Sequence, residues 1–207
     1  IFFTVFATTG VSHAFNVIDG LHGLSLGVSL AVSFFLTVLA WINSDVFIVM
    51  LSLVFFLSSL GLFLLNYPWG KIFLGDGGAY FQGHCLSWIS IILLSRNPEI
   101  TPWAIVLIFF WPVVETLYSI FRRISKKTSS ATADRAHFHQ LVYDKVKSLK
   151  VFGYSATIAN SFSTLLLLPL IIFPSLISLL FFNNVKGACV GFVFFSVAYI
   201  AMYNIIY

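Results

Sequence analysis

Long apolar runs decide what this chain can become. Runs of about 20 residues with almost no charge recur along it, each long enough to cross a hydrocarbon layer as a helix. In lipid the backbone must satisfy its own N–H and C=O groups, so such runs fold as helices unless they close into a barrel. The two-residue alternation of apolar and polar positions that a barrel strand needs is absent. Composition agrees: 59% of residues are hydrophobic and 9% charged, against about 25% charged in ordinary soluble domains. The predicted fold is all-α, a polytopic transmembrane helix bundle with cytoplasmic catalytic loops.

Threading the chain gives the end of one span at 1–14, then spans at 24–41, 46–65, 79–94 and 103–121. Pro169 and Pro174 interrupt the next apolar stretch, 154–182. It is either one kinked, tilted span or a span plus an interfacial piece. Residues 186–207 contain the last span. Arg122, Arg123, Lys126, Lys127, Arg135, Lys145, Lys147 and Lys150 fall in one loop, out of 11 Lys and Arg in all. Basic residues gather on the cytoplasmic side, which orients this loop inward. Counting back, the loops at 15–23 and 66–78 also face the cytoplasm, while 43–45 and 96–101 lie outside. Trp41, Trp69 and Trp103 sit near span ends and read as interfacial anchors. The chain opens at Ile1 inside an apolar segment, with no basic n-region or cleavage site. It is expected to be a single integral membrane domain over 1–207, a fragment lacking its N-terminal spans, with a basic cytoplasmic loop at 122–152. Cys85 and Cys189 lie in apolar runs and read as small buried side chains.

Three polar islands interrupt this pattern on the same side. The first holds Asn16, Asp19, Gly20, His22 and Gly23. Asn16 and Asp19 are three apart and on a helix end would share a face able to grip one ligand. The alternative is a cap for the helix that starts near Leu24. The second island, 66–78, contains Lys71, Phe73, Gly75, Asp76, Gly77 and Gly78. A helix beginning near Ala79 aims its free N–H groups at this loop, a geometry that favours phosphate. Asp76 suits Mg²⁺, a hard cation held by one or two carboxylates and phosphate oxygens, and Lys71 can neutralise a phosphate. The plain alternative makes Asp76 an N-cap and Lys71 an interface anchor. Two extra glycines that a cap does not need favour function.

The third island is Asp134, Arg135, Ala136, His137, Phe138, His139 and Gln140. On a helix the rings of His137 and His139 would stand about 200° apart. Separate tasks are therefore expected: one imidazole or Arg135 toward a phosphate, the other ring structural. Phe138, Leu141, Val142, Lys145, Val146 and Leu149 follow helical spacing and predict a short amphipathic helix on the inner leaflet. Glu115, inside the fifth span, reads as a structural pair or the wall of a cleft. His13 and His84 are expected to be hydrogen-bonded within the bundle.

In this order and on one face, the islands resemble the polyprenyl-phosphate sugar-1-phosphate transferases, the MraY and WecA superfamily. The family's motifs are Asn-x-x-Asp-Gly-x-Asp-Gly-Leu, Phe-x-Gly-Asp-x-Gly and Asp-Arg-x-His-x-His-His. They match Asn16, Asp19, Gly20, Gly23 and Leu24; Phe73, Gly75, Asp76 and Gly78; and Asp134, Arg135, His137 and His139. The resemblance implies transfer of a sugar-1-phosphate, an N-acetylhexosamine phosphate, from a UDP-sugar to polyprenyl (undecaprenyl) phosphate with release of UMP. It implies a bacterial inner membrane, a role in cell-envelope glycan synthesis, and Mg²⁺ with Mn²⁺ as a substitute. By the same resemblance Asp76, Asp19 and His137 are catalytic, with Asp76 on the metal. Asn16, Gly20, His22, Lys71, Phe73, Gly75, Arg135 and His139 are expected at the substrates. The partners implied are the nucleotide sugar, the lipid phosphate and the membrane, with no nucleic acid; a homodimer is allowed.

The chain departs from the pattern at three positions. His22 stands where the family has its second Asp, Gln140 where it has its last His, and Ala133 where Pro is frequent. The family's upstream acidic pair is not in this sequence, so the chain is expected to be incomplete as a catalyst. A transporter or a non-catalytic lipid-binding membrane subunit is the alternative. The absence of an internal repeat or an inverted pair of broken helices weakens the transporter reading.

Overall fold

A computed structural model describes residues 2–127, 134–149 and 155–207. Ala133, Lys150 and Tyr154, which entered the sequence reading, lie outside the described residues, as does part of the 122–152 loop. The described residues are all-helical with no strand: α1 Phe2–Val17, α2 Leu24–Ile42, α3 Val46–Asn66, α4 Gly75–Arg96, α5 Pro102–Ile108, α6 Phe110–Ser125, α7 Phe138–Ser148, α8 Ala156–Leu167, α9 Pro169–Leu180 and α10 Val185–Ile206. α2, α3, the joined α8–α9 stretch and α10 are each long and apolar enough to cross a membrane. The α8–α9 stretch counts as one 25-residue span, so the kinked-span alternative holds. Pro169 starts α9 at its first turn and Pro174 is accommodated inside it.

Two expected spans differ. Residues 103–121 do not form one helix: α5 and α6 meet at Phe109 with a bend of 84°. Pro112 explains the break, since its ring clashes with the carbonyl four residues back and it donates no N–H. It is tolerated in the first turn of the new helix. α4 begins at Gly75 rather than near Ala79. Gly75 has φ 69°, a left-handed backbone that costs other residues about 1–2 kcal/mol. α4 is not among the helices apolar enough to cross by composition, because Gln82, His84, Ser87 and Ser90 interrupt it.

α1 packs on α4 and α6, α2 on α3, α5 on α9 and α10, and α7 on α8. The chain direction alternates, so α1, α3, α6 and α10 end where α2, α4 and α8 begin. That end carries the three polar islands. The opposite end is closed by Asp45. Its carboxylate caps α3 at the Ile48 N–H (3.3 Å) and accepts Arg96 Nε at 2.7 Å, Arg96 Nη2 at 3.1 Å and Asn97 Nδ2 at 3.0 Å. The hydrogen bonds from Arg96 hold the Asp45 carboxyl below the usual carboxylate range despite its burial. Thr101 caps α5 and its N–H reaches the Phe182 carbonyl at 2.7 Å, tying α9 to the same end. One aromatic and aliphatic core runs between the ends through Phe15, Leu36, Leu86, Phe110, Trp111, Phe138 and Tyr199. Cys85 and Cys189 are free and half-buried.

α7 forms where expected, but its apolar face does not lie on lipid. Phe138, Val142 and Val146 are buried in the protein core, against α8 and α10. Periodicity shows which face of a helix is apolar; it does not show what covers that face.

Candidate active site

The first two islands meet at Asp76. Asn16, in the last turn of α1, donates its amide to Asp76 Oδ1 at 3.0 Å. Neither residue is a helix cap. α2 starts on Gly23 and α4 on Leu74, both without a side-chain capping bond. Asp76 stands exposed in the first turn of α4, where the helix dipole favours a negative group. Asp19 sits in the turn after α1. Burial, and then the charge of Asp76, push its carboxyl up to about 6. Two neighbouring carboxylates with an amide beside them are a donor set fit for a hard divalent cation that keeps several of its own waters. Among the described residues no group of three or more His, Cys, Asp or Glu forms a fuller cage.

Islands one and three meet at Gly20. A Cβ added there would lie 2.5 Å from His139 Nε2, so only glycine admits this ring. His139 is fully buried, and neither of its nitrogens has a hydrogen-bond partner. Burial pushes its pKa down to about 4, so the ring is neutral. The two histidine rings are not turned apart as a helix would turn them. They stack at 5.6 Å with planes 14° apart, because His137 precedes α7 with an extended backbone (ψ 141°). His139 therefore backs His137 instead of facing solvent.

His137 lines a cleft of about 490 Å³ with His13, Val17, Thr116, Ser119, Ile120, Arg123 and Ile124. Asp134 organises the approach to it. Its carboxylate pairs with Arg122, accepts Ser119 Oγ at 3.2 Å and the Ala136 N–H at 3.0 Å, and lies 3.7 Å from Arg123. Burial alone would raise this carboxyl. The hydrogen bonds from Arg122 and Ala136 and the neighbouring positive charges outweigh it and hold the group at about 2. Arg135 is exposed at the same end. Gln140, with its amide turned to donate, reaches the Arg135 and Asp134 carbonyls at 3.0 and 3.3 Å.

Loop two docks on loop one through His22. Its Nδ1 lies 3.2 Å from the Pro68 carbonyl, and its ring covers Gly70 and meets Phe73 edge-on at 6.0 Å. Phe73 remains 72% exposed, a bare aromatic face beside the carboxylates. Lys71 is exposed, 5.5 Å from the Trp69 ring centre. Asn66 ties the loops from beneath, accepting from the Gly23 N–H and donating to the Ile72 carbonyl at 2.5 Å. His13 is exposed against Tyr80, and His84 exposed against Trp88.

α8 supplies residues that the sequence reading passed over. Asn160 accepts the His22 N–H at 2.6 Å, Thr164 donates to the His22 carbonyl at 2.8 Å, and Ser161 donates to the Pro68 carbonyl. Polar side chains at 160, 161 and 164 share one face of an apolar helix. That spacing was the available signal.

The chain is similar in sequence to known proteins. The sequence profile described as glycosyl transferase family 4 matches residues 1–94. A Bacillus subtilis protein described as a "Probable undecaprenyl-phosphate N-acetylglucosaminyl 1-phosphate transferase" is 35% identical over 137 residues, 66% of this chain and 38% of its own length. A Lactobacillus johnsonii phospho-N-acetylmuramoyl-pentapeptide-transferase is 32% identical over 155 residues, 72% of this chain and 47% of its own. The Escherichia coli undecaprenyl-phosphate alpha-N-acetylglucosaminyl 1-phosphate transferase is 26% identical over 149 residues, 68% of this chain and 40% of its own. The chain thus spans less than half the length of these curated relatives. With its motifs, its profile match and these relatives, the chain belongs to the polyprenyl-phosphate sugar-1-phosphate transferases of glycosyl transferase family 4.

Proposed function

We propose that the protein transfers a sugar-1-phosphate, an N-acetylhexosamine phosphate, from a UDP-sugar to polyprenyl (undecaprenyl) phosphate, releasing UMP. The reaction would run at the cytoplasmic face of a bacterial inner membrane and feed cell-envelope glycan synthesis. The observation that carries this reading is the junction of the islands: Asn16 on Asp76, and Gly20 under His139. It joins paired carboxylates, a helix N-terminus and a basic cleft at one end of an apolar bundle.

The chemistry needs placement and charge more than covalent help. An oxygen of the lipid phosphate attacks the β-phosphorus of the UDP-sugar, and the bond to the UMP oxygen breaks. Mg²⁺, held by Asp76 with Asp19 beside it, would supply charge neutralisation at the diphosphate. Asn16 orients Asp76. Arg135 and Lys71 offer donors to phosphate oxygens, and His137 presents its ring at the cleft. Arg122 is engaged by Asp134 and serves the scaffold. Phe73 offers its exposed ring to the flat base of the nucleotide. Glu115, an acid within an apolar stretch, is occupied by protein donors, so it is not itself an open ion site of the kind a transporter uses.

The test is Asp76→Asn in membranes carrying the protein. Formation of the lipid-linked sugar diphosphate should fall about a hundredfold or more. Chelation should abolish it in the parent, and added Mg²⁺ or Mn²⁺ should restore it. A rate for Asp76→Asn within twofold of the parent would remove the metal role.

A further inference from the structure

Glu115 has more to do than fill a polar gap. It is 1% exposed on α6, and three donors converge on it. His137 Nδ1 lies 3.0 Å and the Phe138 N–H 3.1 Å from Oε1, while Tyr199 donates to Oε2 at 2.8 Å. Two of those donors belong to the 137–138 segment, so one carboxylate fixes both the start of α7 and the ring that precedes it. A carboxylate can accept all three; an apolar side chain of similar size, such as leucine, accepts none of them. Tyr199 comes from α10, which also sends Tyr203 to the Ala136 carbonyl at 2.8 Å. The other charged and titratable groups around His137 are Asp134, 3.8 Å from Nε2, the stacked His139, and Arg123 and His13 across the cleft.

We propose that Glu115 is the positioning residue for His137. Its carboxylate takes the Nδ1–H, leaves Nε2 as the ring atom beside Asp134 at the cleft, and is itself held in place by the Tyr199 hydroxyl. Glu115 touches no substrate and acts through the imidazole. A carboxylate behind a functional histidine sets its tautomer and its plane. Only the activity arm of the following test rests on the transferase reading.

Glu115→Leu should lower lipid-linked product formation about ten- to a hundredfold, the range for losing the carboxylate that orients a functional imidazole. The double variant with His137→Ala should be no slower than His137→Ala alone, because one route is being cut twice. Multiplying losses, or a Glu115→Leu rate within twofold of the parent, would overturn the proposal. If Glu115→Leu does not accumulate in membranes, Tyr199→Phe in the same cycle decides, since it frees one carboxylate oxygen and keeps the charge. ¹⁵N NMR of histidine-labelled protein reads the role without catalysis. At about pH 8.5 the His137 signal, assigned by its loss in His137→Ala, should carry the Nδ1–H tautomer in the parent and the Nε2–H tautomer in Glu115→Leu. An Nε2–H tautomer in the parent would refute the positioning role even in an active enzyme. A parent that forms no product would defeat the transferase reading, and the tautomer would still decide the role of Glu115.

Discussion

Asp134 shows how a single side chain can serve the site without meeting the substrate. It gathers Arg122, Ser119, Arg123 and the Ala136 N–H and so fixes where the His137 segment leaves the α6 end. Its carboxyl titrates lower in the folded protein, near 2, than in an unfolded chain, near 3.9. The pairing therefore adds stability above about pH 4 and loses it as pH falls toward 2. Asp134→Asn is predicted to cost about 1–3 kcal/mol at neutral pH. Thermal unfolding followed from pH 7 down should show the gap between variant and parent closing below about pH 4. A gap that stays constant with pH would contradict the ionic account.

Among the elements, α8 has the least expected part. Its Asn160, Ser161 and Thr164 hold the His22 and Pro68 backbones, and through them both loops that flank Asp76. Asn160→Ala leaves the His22 N–H without its acceptor, a cost of about 1–3 kcal/mol. We predict that this variant raises KM for the nucleotide sugar severalfold while kcat falls less, which steady-state kinetics in membranes would show. Helix existence and the apolar faces were legible from run length and spacing alone. The 84° break at Phe109 was not read, although Pro112 carried the signal, because the surrounding apolar run masked it. The early start of α4 was hidden by Gly75, Gly77 and Gly78, which look like loop and yet open a helix. The motif residues could be picked out because carboxylates and glycines are rare in such a chain. Their mutual contacts could not, since Asn16 and Asp76 are 60 residues apart and no local rule joins them.

For the molecule as a whole, helix direction and charge agree. Arg122, Arg123, Lys126, Arg135, Lys145 and Lys147 lie at the end that holds Asp19 and Asp76, and Glu99 lies at the other. If basic residues mark the inner face, cysteines placed at exposed Ser148 and Glu99 will label differently. With Cys85 and Cys189 replaced by Ala, a membrane-impermeant maleimide should modify Glu99→Cys in intact cells and Ser148→Cys only after permeabilisation. Labelling of both in intact cells would overturn the orientation.

Asp45 leaves one last consequence. Its four hydrogen bonds come from three residues of the protein, Ile48, Arg96 and Asn97, at the end opposite His137 and the two acidic loops. The bundle is thus riveted at one rim and left chemically open at the other. Engineering for heat tolerance can work on the riveted rim with the reactive rim untouched, and a loss of robustness there need not blunt turnover in the molecules that survive.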